Sequence, residues 1–238
     1  MAIRAVLFDA GNTLVHLDYP RIALEGTSLG LRGDARELRA AEYRGREWFD
    51  RELLRRWDQA PPARTGWMTR ADWKRFWRET SAALIHNPAH QETVAEFLDQ
   101  AAATGHYWCA VPADAVPTLE ELRRRGLALG VVSNSNGAVK ELLAEMGLAH
   151  YFDVVVDSAL VGVEKPHPEI FALALEQLGL RADETLMVGD FYSIDVVGAE
   201  RAGLQALLYD PQRGYWNTGA RRISALSEIL RYLDPPAR

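Results

Sequence analysis

The chain has 238 residues, 48% of them hydrophobic and 25% charged; that exceeds the commonest domain size and falls short of two full-sized domains, so one domain carrying a substantial insertion is expected. No run of 18 apolar residues and no basic-then-apolar leader occurs, and the lone cysteine, Cys109, leaves no internal disulfide and no multi-thiolate zinc site. The net charge of −6 argues against a general nucleic-acid surface, which leaves a cytoplasmic enzyme or binding protein with no membrane or nucleic-acid partner as the expected class.

In chain order, residues 3–8 form a short apolar run that ends at Asp9 and a Gly-Asn pair, the pattern of a buried strand followed by a turn. Residues 34–57 lack proline and repeat apolar side chains at helical spacing, with Gly45 as the weak point. Thr69 with Asp72 predicts a capped start for a second helix that Pro88 closes, and a third helical stretch covers roughly 90–103. Six of the seven tryptophans (Trp48, Trp57, Trp67, Trp73, Trp77 and Trp108) fall in this stretch, where several recur at the spacing of helix-packing residues. Residues 18–110 carry 14 basic and 14 acidic side chains, so the flanks hold the whole negative excess. Two compositions in one chain mark an inserted helical unit at 18–110 within a core made of 1–17 and 111–238.

From Pro112 onward helix and strand alternate: a helix over 113–125, a strand over 127–132 ending in Ser133-Asn134-Ser135-Asn136-Gly137, a helix over 138–146, a strand over 153–156, a helix over 168–178, a strand over 185–188 ending at Gly189-Asp190, then another helix and a strand over 206–208. This alternation is the signature of a doubly wound parallel sheet of Rossmann-like type, and the isolated first strand joins it most economically.

Ligands in such sheets bind beyond the carboxyl ends of the strands. Three predicted strand ends carry polar groups: Asp9 with Asn12 and Thr13, Ser133 with Asn134, and Asp190 followed by Asp195. Lys165 lies on a fourth connection. Carboxylates, a hydroxyl and an ammonium suit phosphoryl transfer to a carboxylate. A dianionic substrate needs a divalent cation and a fixed positive charge before an anionic nucleophile can approach, and oxygen ligands favour Mg²⁺.

The ordered set Phe8-Asp9-Ala10-Gly11-Asn12-Thr13-Leu14, Val132-Ser133-Asn134, Lys165-Pro166 and Gly189-Asp190 with Asp195 resembles the four motifs of the haloacid dehalogenase superfamily. The family's C1 helical cap is inserted between the first and second motifs, where residues 18–110 sit. The resemblance implies that Asp9 is the nucleophile and a Mg²⁺ ligand, that the Gly11 carbonyl and Asp190 complete the protein ligands, and that Asp195 assists. It implies that Ser133 and Lys165 contact the phosphoryl group, with Asn12, Thr13 and Asn134 nearby in the substrate site, and that the reaction is hydrolysis of a small phosphorylated metabolite.

One position departs from the pattern. Family phosphatases usually carry a second aspartate two residues after the nucleophile as general acid, and this chain has Gly11. The expectation is therefore a substrate with a good leaving group, or replacement of the acid by His16 or a cap residue. The rival readings are a metal-independent 2-haloacid dehalogenase, whose family pattern places tyrosine at the Gly11 position, a phosphonate hydrolase, and a binding or regulatory protein that keeps the fold without turnover. His16 and Asp18, at the hinge, read as structural on their own, and Cys109 reads as a buried, inert thiol.

Overall fold

The computed structural model describes residues 2–233. The chain opens with β1 (Ala5–Phe8), β2 (His16–Leu17) and α1 (Tyr19–Gly26), followed by three longer helices, α2 (Ala35–Trp57), α3 (Arg70–Ser81) and α4 (Gln91–Ala103). The return strand β3 (Trp108–Ala110) leads into α5 (Ala115–Arg124), β4 (Ala128–Ser133), α6 (Val139–Glu145), β5 (Val154–Asp157), α7 (Ser158–Val161) and α8 (Pro168–Leu178). The chain continues with β6 (Thr185–Gly189), a π-helical turn over Tyr192–Val197, α9 (Gly198–Arg201), β7 (Gln205–Tyr209) and β8 (Arg222–Ile223).

The six strands of the main sheet are parallel and run in the order β5-β4-β1-β6-β7-β8. The chain winds outward from β1 to β4 and β5 on one side and then to β6, β7 and β8 on the other. The end of β1 is thus the switch point at which doubly wound sheets form a crevice. Alternation along β1 feeds both faces: Val6 and Phe8 pack with Leu129, Val131, Leu119 and Leu143, whereas Leu7 packs with Val132, Met187, Ile170 and Phe171. The expected fold class, a doubly wound parallel core with inserted helices, is the one observed.

Helices α1–α4 are inserted between β2 and β3, which pair antiparallel, so the outgoing and returning chain cross side by side. The predicted cap at the start of α3 forms, and α2 carries one that the sequence reading did not name. Asp34 and Glu37 make a capping box at the start of α2, and Thr69 and Asp72 make the one at α3. Gly45 does not interrupt α2, because its missing side chain is what lets α3 approach. A Cβ there would lie 2.6 Å from the Phe76 carbonyl and 2.5 Å from the Thr80 hydroxyl. Phe49, Phe76 and Trp73 surround Phe191, which follows Asp190 in the sheet unit, with ring centroids 5.4, 5.9 and 6.0 Å away. The tryptophans Trp73 and Trp77 do pack in this helical core.

Two short elements lie outside the sequence expectation, and one residue departs from it. Asp18 caps a short helix, α1, by accepting a hydrogen bond from the Arg21 amide (3.1 Å). A two-residue strand, β8, closes the sheet edge. Cys109 is exposed rather than buried, because the β2–β3 ribbon is open to solvent along that side.

Asp50 joins α2 to the turn after β6 at a cost. Its Oδ1 accepts a hydrogen bond from the Ser193 amide (2.8 Å), but its Oδ2 is buried without a partner. Burial pushes its pKa up to about 6, against the pull of Ser193, Tyr215 and Arg46. Because the folded-state value lies above the unfolded one, stability is lost as the pH rises through this range and the penalty is complete above it. Asp50→Asn is therefore expected to gain up to about 3 kcal/mol in urea denaturation at pH 8, and the gain should vanish below about pH 4.

Candidate active site

Asp9 stands at the end of β1 and is 8% exposed. The turn after it is built by Ala10, whose carbonyl accepts from the Leu14 and Val15 amides (both 2.9 Å), and by Asn12, which takes a positive φ of 52°. Asparagine tolerates that backbone because its short polar side chain bonds locally, here to Glu42 and to the Tyr19 hydroxyl. Asp9 Oδ1 accepts from Ser133 Oγ (3.1 Å), at the end of β4, and from Lys165 Nζ (2.6 Å). Lys165 Nζ also donates to Asp195 Oδ1 (2.7 Å), and Asp195 Oδ2 accepts from the Phe191 amide (2.9 Å).

Burial works against the Lys165 ammonium, but the Asp195 and Asp9 carboxylates outweigh it and hold the lysine above its ordinary value. Burial raises Asp9 above the usual carboxylate range while Lys165 pulls it down. The Lys165 backbone is fixed by Asn134, whose Nδ2 donates to the Lys165 carbonyl (2.8 Å) and whose Oδ1 accepts from its amide (2.7 Å). Both ends of the Asn134 amide are thus committed to placing the lysine. Thr13 is fully enclosed and its hydroxyl has no hydrogen-bond partner.

Asp190, at the end of β6, meets a residue that sequence reasoning missed. Arg46 reaches from α2, with Nη1 2.5 Å from Asp190 Oδ2 and donating to the Asp190 carbonyl at 2.7 Å, while Nη2 donates to Glu42 Oε1 (2.6 Å). The detectable signal is that Glu42 and Arg46 share the buried stripe of α2 with Leu38, Phe49 and Leu53, a stripe that charged side chains normally avoid. The Arg46 contact with Asp190 Oδ2 is an ion pair without hydrogen-bond geometry.

His16 lies on this side of the site, in a cavity of about 20 Å³ shared with Arg39, Glu42, Arg46 and Asp190. Burial, reinforced by Arg39 and Arg46, pushes its pKa down to about 3, and its Nδ1 is 2.5 Å from Arg39 Nη2. A histidine neutral at physiological pH and held in this way does not replace a missing acid.

The opposite side is open. A cleft of about 760 Å³ runs from Gly11 and Ser133 past Trp73 and Trp108 to α6. Gly11 and Trp108 fit together: a Cβ at position 11 would lie 3.1 Å from Trp108 Cη2 and 3.3 Å from Cζ3. The indole is pinned by its Nε1–H, which donates to the Ala102 carbonyl (2.8 Å). A side chain at position 11 therefore requires the ring to give by a few tenths of an ångström.

Asp9, Asp190 and Asp195 are buried and bring one carboxylate oxygen each within 4.8 Å of the others. Three carboxylates face two cations, Lys165 and Arg46, and Arg46 is shared with Glu42. This all-oxygen set with surplus negative charge fits a hard divalent cation.

A family model described as haloacid dehalogenase-like hydrolase matches residues 3–203. The chain is 34% identical over 218 residues to a ribulose-1,5-bisphosphate 5-phosphatase from Halopiger xanaduensis, covering 87% of this chain and 84% of that protein. It is 46% identical over 93 residues to a glyceraldehyde 3-phosphate phosphatase from Methanopyrus kandleri, a match that spans only 40% of that protein. Among solved structures, a phosphatase from Thermococcus onnurineus superposes with a TM-score of 0.59 at 26% identity, over 97% of this chain and 98% of that one.

Proposed function

The chain belongs to the haloacid dehalogenase-like hydrolase family, and on that premise we propose that it is a C1-capped phosphatase that hydrolyses a small phosphorylated metabolite through an aspartyl-phosphate on Asp9. The observation that carries this reading is the single buried ammonium, Lys165, shared between Asp9 and Asp195 beside Ser133 and Asp190 at the switch point of the sheet. The relatives named above are phosphatases with different substrates, which supports the reaction class.

Asp9 Oδ1 is occupied by Lys165 and Ser133, which leaves Oδ2 as the attacking atom. It forms a bond to phosphorus as the bond to the leaving oxygen breaks, and the electron pair departs with that oxygen. Water then attacks the phosphorus of the acyl phosphate, releases inorganic phosphate and restores the carboxylate. Lys165 and Ser133 supply a fixed positive charge and a donor where the equatorial phosphoryl oxygens carry charge. Mg²⁺ would be held by Asp9, Asp190 and the Gly11 carbonyl, with Asp195 assisting, and would neutralise substrate charge so that a carboxylate can approach it. Residues 18–110 act as the cap, closing through Arg46 and Asp50 over the core.

The departure at Gly11 sets which leaving groups are handled. Replacing Gly11 alone by aspartate crowds the pinned Trp108 indole, so the gain is expected to be largest where that ring is removed. Against Trp108→Ala as reference, the double variant Gly11→Asp with Trp108→Ala is expected to raise kcat on ethyl phosphate by about 10²-fold, the lower end of what a general acid supplies. An unchanged kcat would show that leaving-group protonation is not the missing element.

The reading is tested by phosphate release from a panel of phosphomonoesters that includes p-nitrophenyl phosphate, with Mg²⁺ and with EDTA. Turnover with Mg²⁺ that EDTA abolishes and Mg²⁺ restores is the expected result. Halide release from 2-haloacids without Mg²⁺, in the absence of phosphate release, would overturn it.

A further inference from the structure

We propose that the large cleft selects phosphomonoesters whose leaving group carries a cationic amine; this deepens the phosphatase reading above and rests on it. Two spaces adjoin the site. The cavity beside Asp190, at about 20 Å³, has room for about one water molecule. The cleft beside Gly11 and Ser133, at about 760 Å³, is the size of small-molecule sites. With the phosphoryl group at Asp9, the rest of the substrate therefore lies in the cleft.

The walls of the cleft define what that remainder is. Trp73 and Trp108 line it, and the Trp108 ring packs against Gly11, two residues after Asp9. Aromatic faces attract cations through their negative quadrupole. The charged side chains on the cleft wall are Glu141, Glu145 and Glu164; among the described residues no lysine or arginine lines it, and His106 and Cys109 are its other titratable groups. A second phosphate or a carboxylate on the substrate would face three carboxylates without a matching cation.

Glu164 adds a specific partner. It immediately precedes Lys165 in the chain and is the least exposed of the three glutamates. A cation in the cleft is attracted by its carboxylate as well as by the indoles. The same charge assists the chemistry. An ammonium close to the leaving oxygen makes the departing alkoxide a weaker base, which lessens the need for the acid that Gly11 does not provide.

The test compares choline phosphate with its uncharged carbon isostere, 3,3-dimethylbutyl phosphate, and with phosphoglycolate as the anionic ester, using the full chain with Mg²⁺. Choline phosphate is expected to exceed the isostere by about tenfold or more in kcat/KM, with phosphoglycolate lowest, and Glu164→Gln is expected to shrink the choline-to-isostere ratio by several fold. The ratio separates binding by the cleft from the leaving-group effect, which Glu164→Gln leaves in place. A ratio near one, or a ratio unmoved by Glu164→Gln, overturns the proposal. If p-nitrophenyl phosphate is still hydrolysed in that case, the phosphatase reading stands without it; if no ester is hydrolysed, both fall.

Discussion

Asp9→Asn is expected to lower kcat on every phosphomonoester by at least about 10⁴-fold, the scale seen when a catalytic nucleophile is removed. The loss should be chemical rather than structural. The amide is close in shape to the carboxylate, Lys165 keeps Asp195 as a partner, and the variant buries one charge fewer at a position where burial already raises the carboxylate pKa. Circular dichroism and urea denaturation should therefore show a folded protein, and single-turnover assays should show no burst of leaving group. A kcat within tenfold of the parent would mean that Asp9 does not form the covalent bond.

Lys165→Met is expected to damage both stability and turnover, because this lysine is the only direct cationic partner of Asp9 and Asp195 among the described residues. Methionine roughly fills the volume of the side chain and leaves two buried carboxylates adjacent without the charge between them. Breaking a buried ion pair from one side costs about 3–5 kcal/mol, which is a large share of the stability of a domain. Loss of the fixed charge near the phosphoryl oxygens should lower kcat by about 10²- to 10³-fold in whatever fraction remains folded. Urea denaturation in EDTA reads the first effect, and kcat per folded molecule reads the second. Wild-type stability together with wild-type kcat would remove Lys165 from both roles.

Much of this arrangement is legible in the sequence because it depends on local signals. Strands β1, β4 and β6 are short apolar runs stopped by Asp9, Ser133 and Gly189-Asp190, so the polar group at each strand end is fixed as soon as the strand is placed. The capping pairs Asp34 with Glu37 and Thr69 with Asp72 mark helix starts within a single turn of chain. The convergence of Asp9, Ser133, Lys165, Asp190 and Asp195 then follows from the parallel order of the sheet.

The remaining features depend on contacts between distant segments. Arg46 meets Asp190 only because α2 packs against the π-helical turn that follows β6, and its one sequence trace is a charged pair on an otherwise apolar helical stripe. The pairing of Gly11 with Trp108 requires the return strand β3 to lie beside the turn after β1, so a missing side chain in one segment explains a large one in another. His16 looks like a substitute acid by its nearness to Asp9 in sequence, yet the turn through Asn12 carries it to the other side of the site, among arginines. Two-residue strands such as β8 lie below the length at which periodicity can be read.

The central claim is that phosphate passes through Asp9, and the most direct measurement is acid quench of the full chain during turnover with Mg²⁺, followed by mass spectrometry of its peptides. A phosphoryl group on the peptide that contains Asp9, sensitive to hydroxylamine as an acyl phosphate and missing from Asp9→Asn, is the expected result. Turnover with no phosphorylated peptide, or with the group on Ser133 instead, would contradict it.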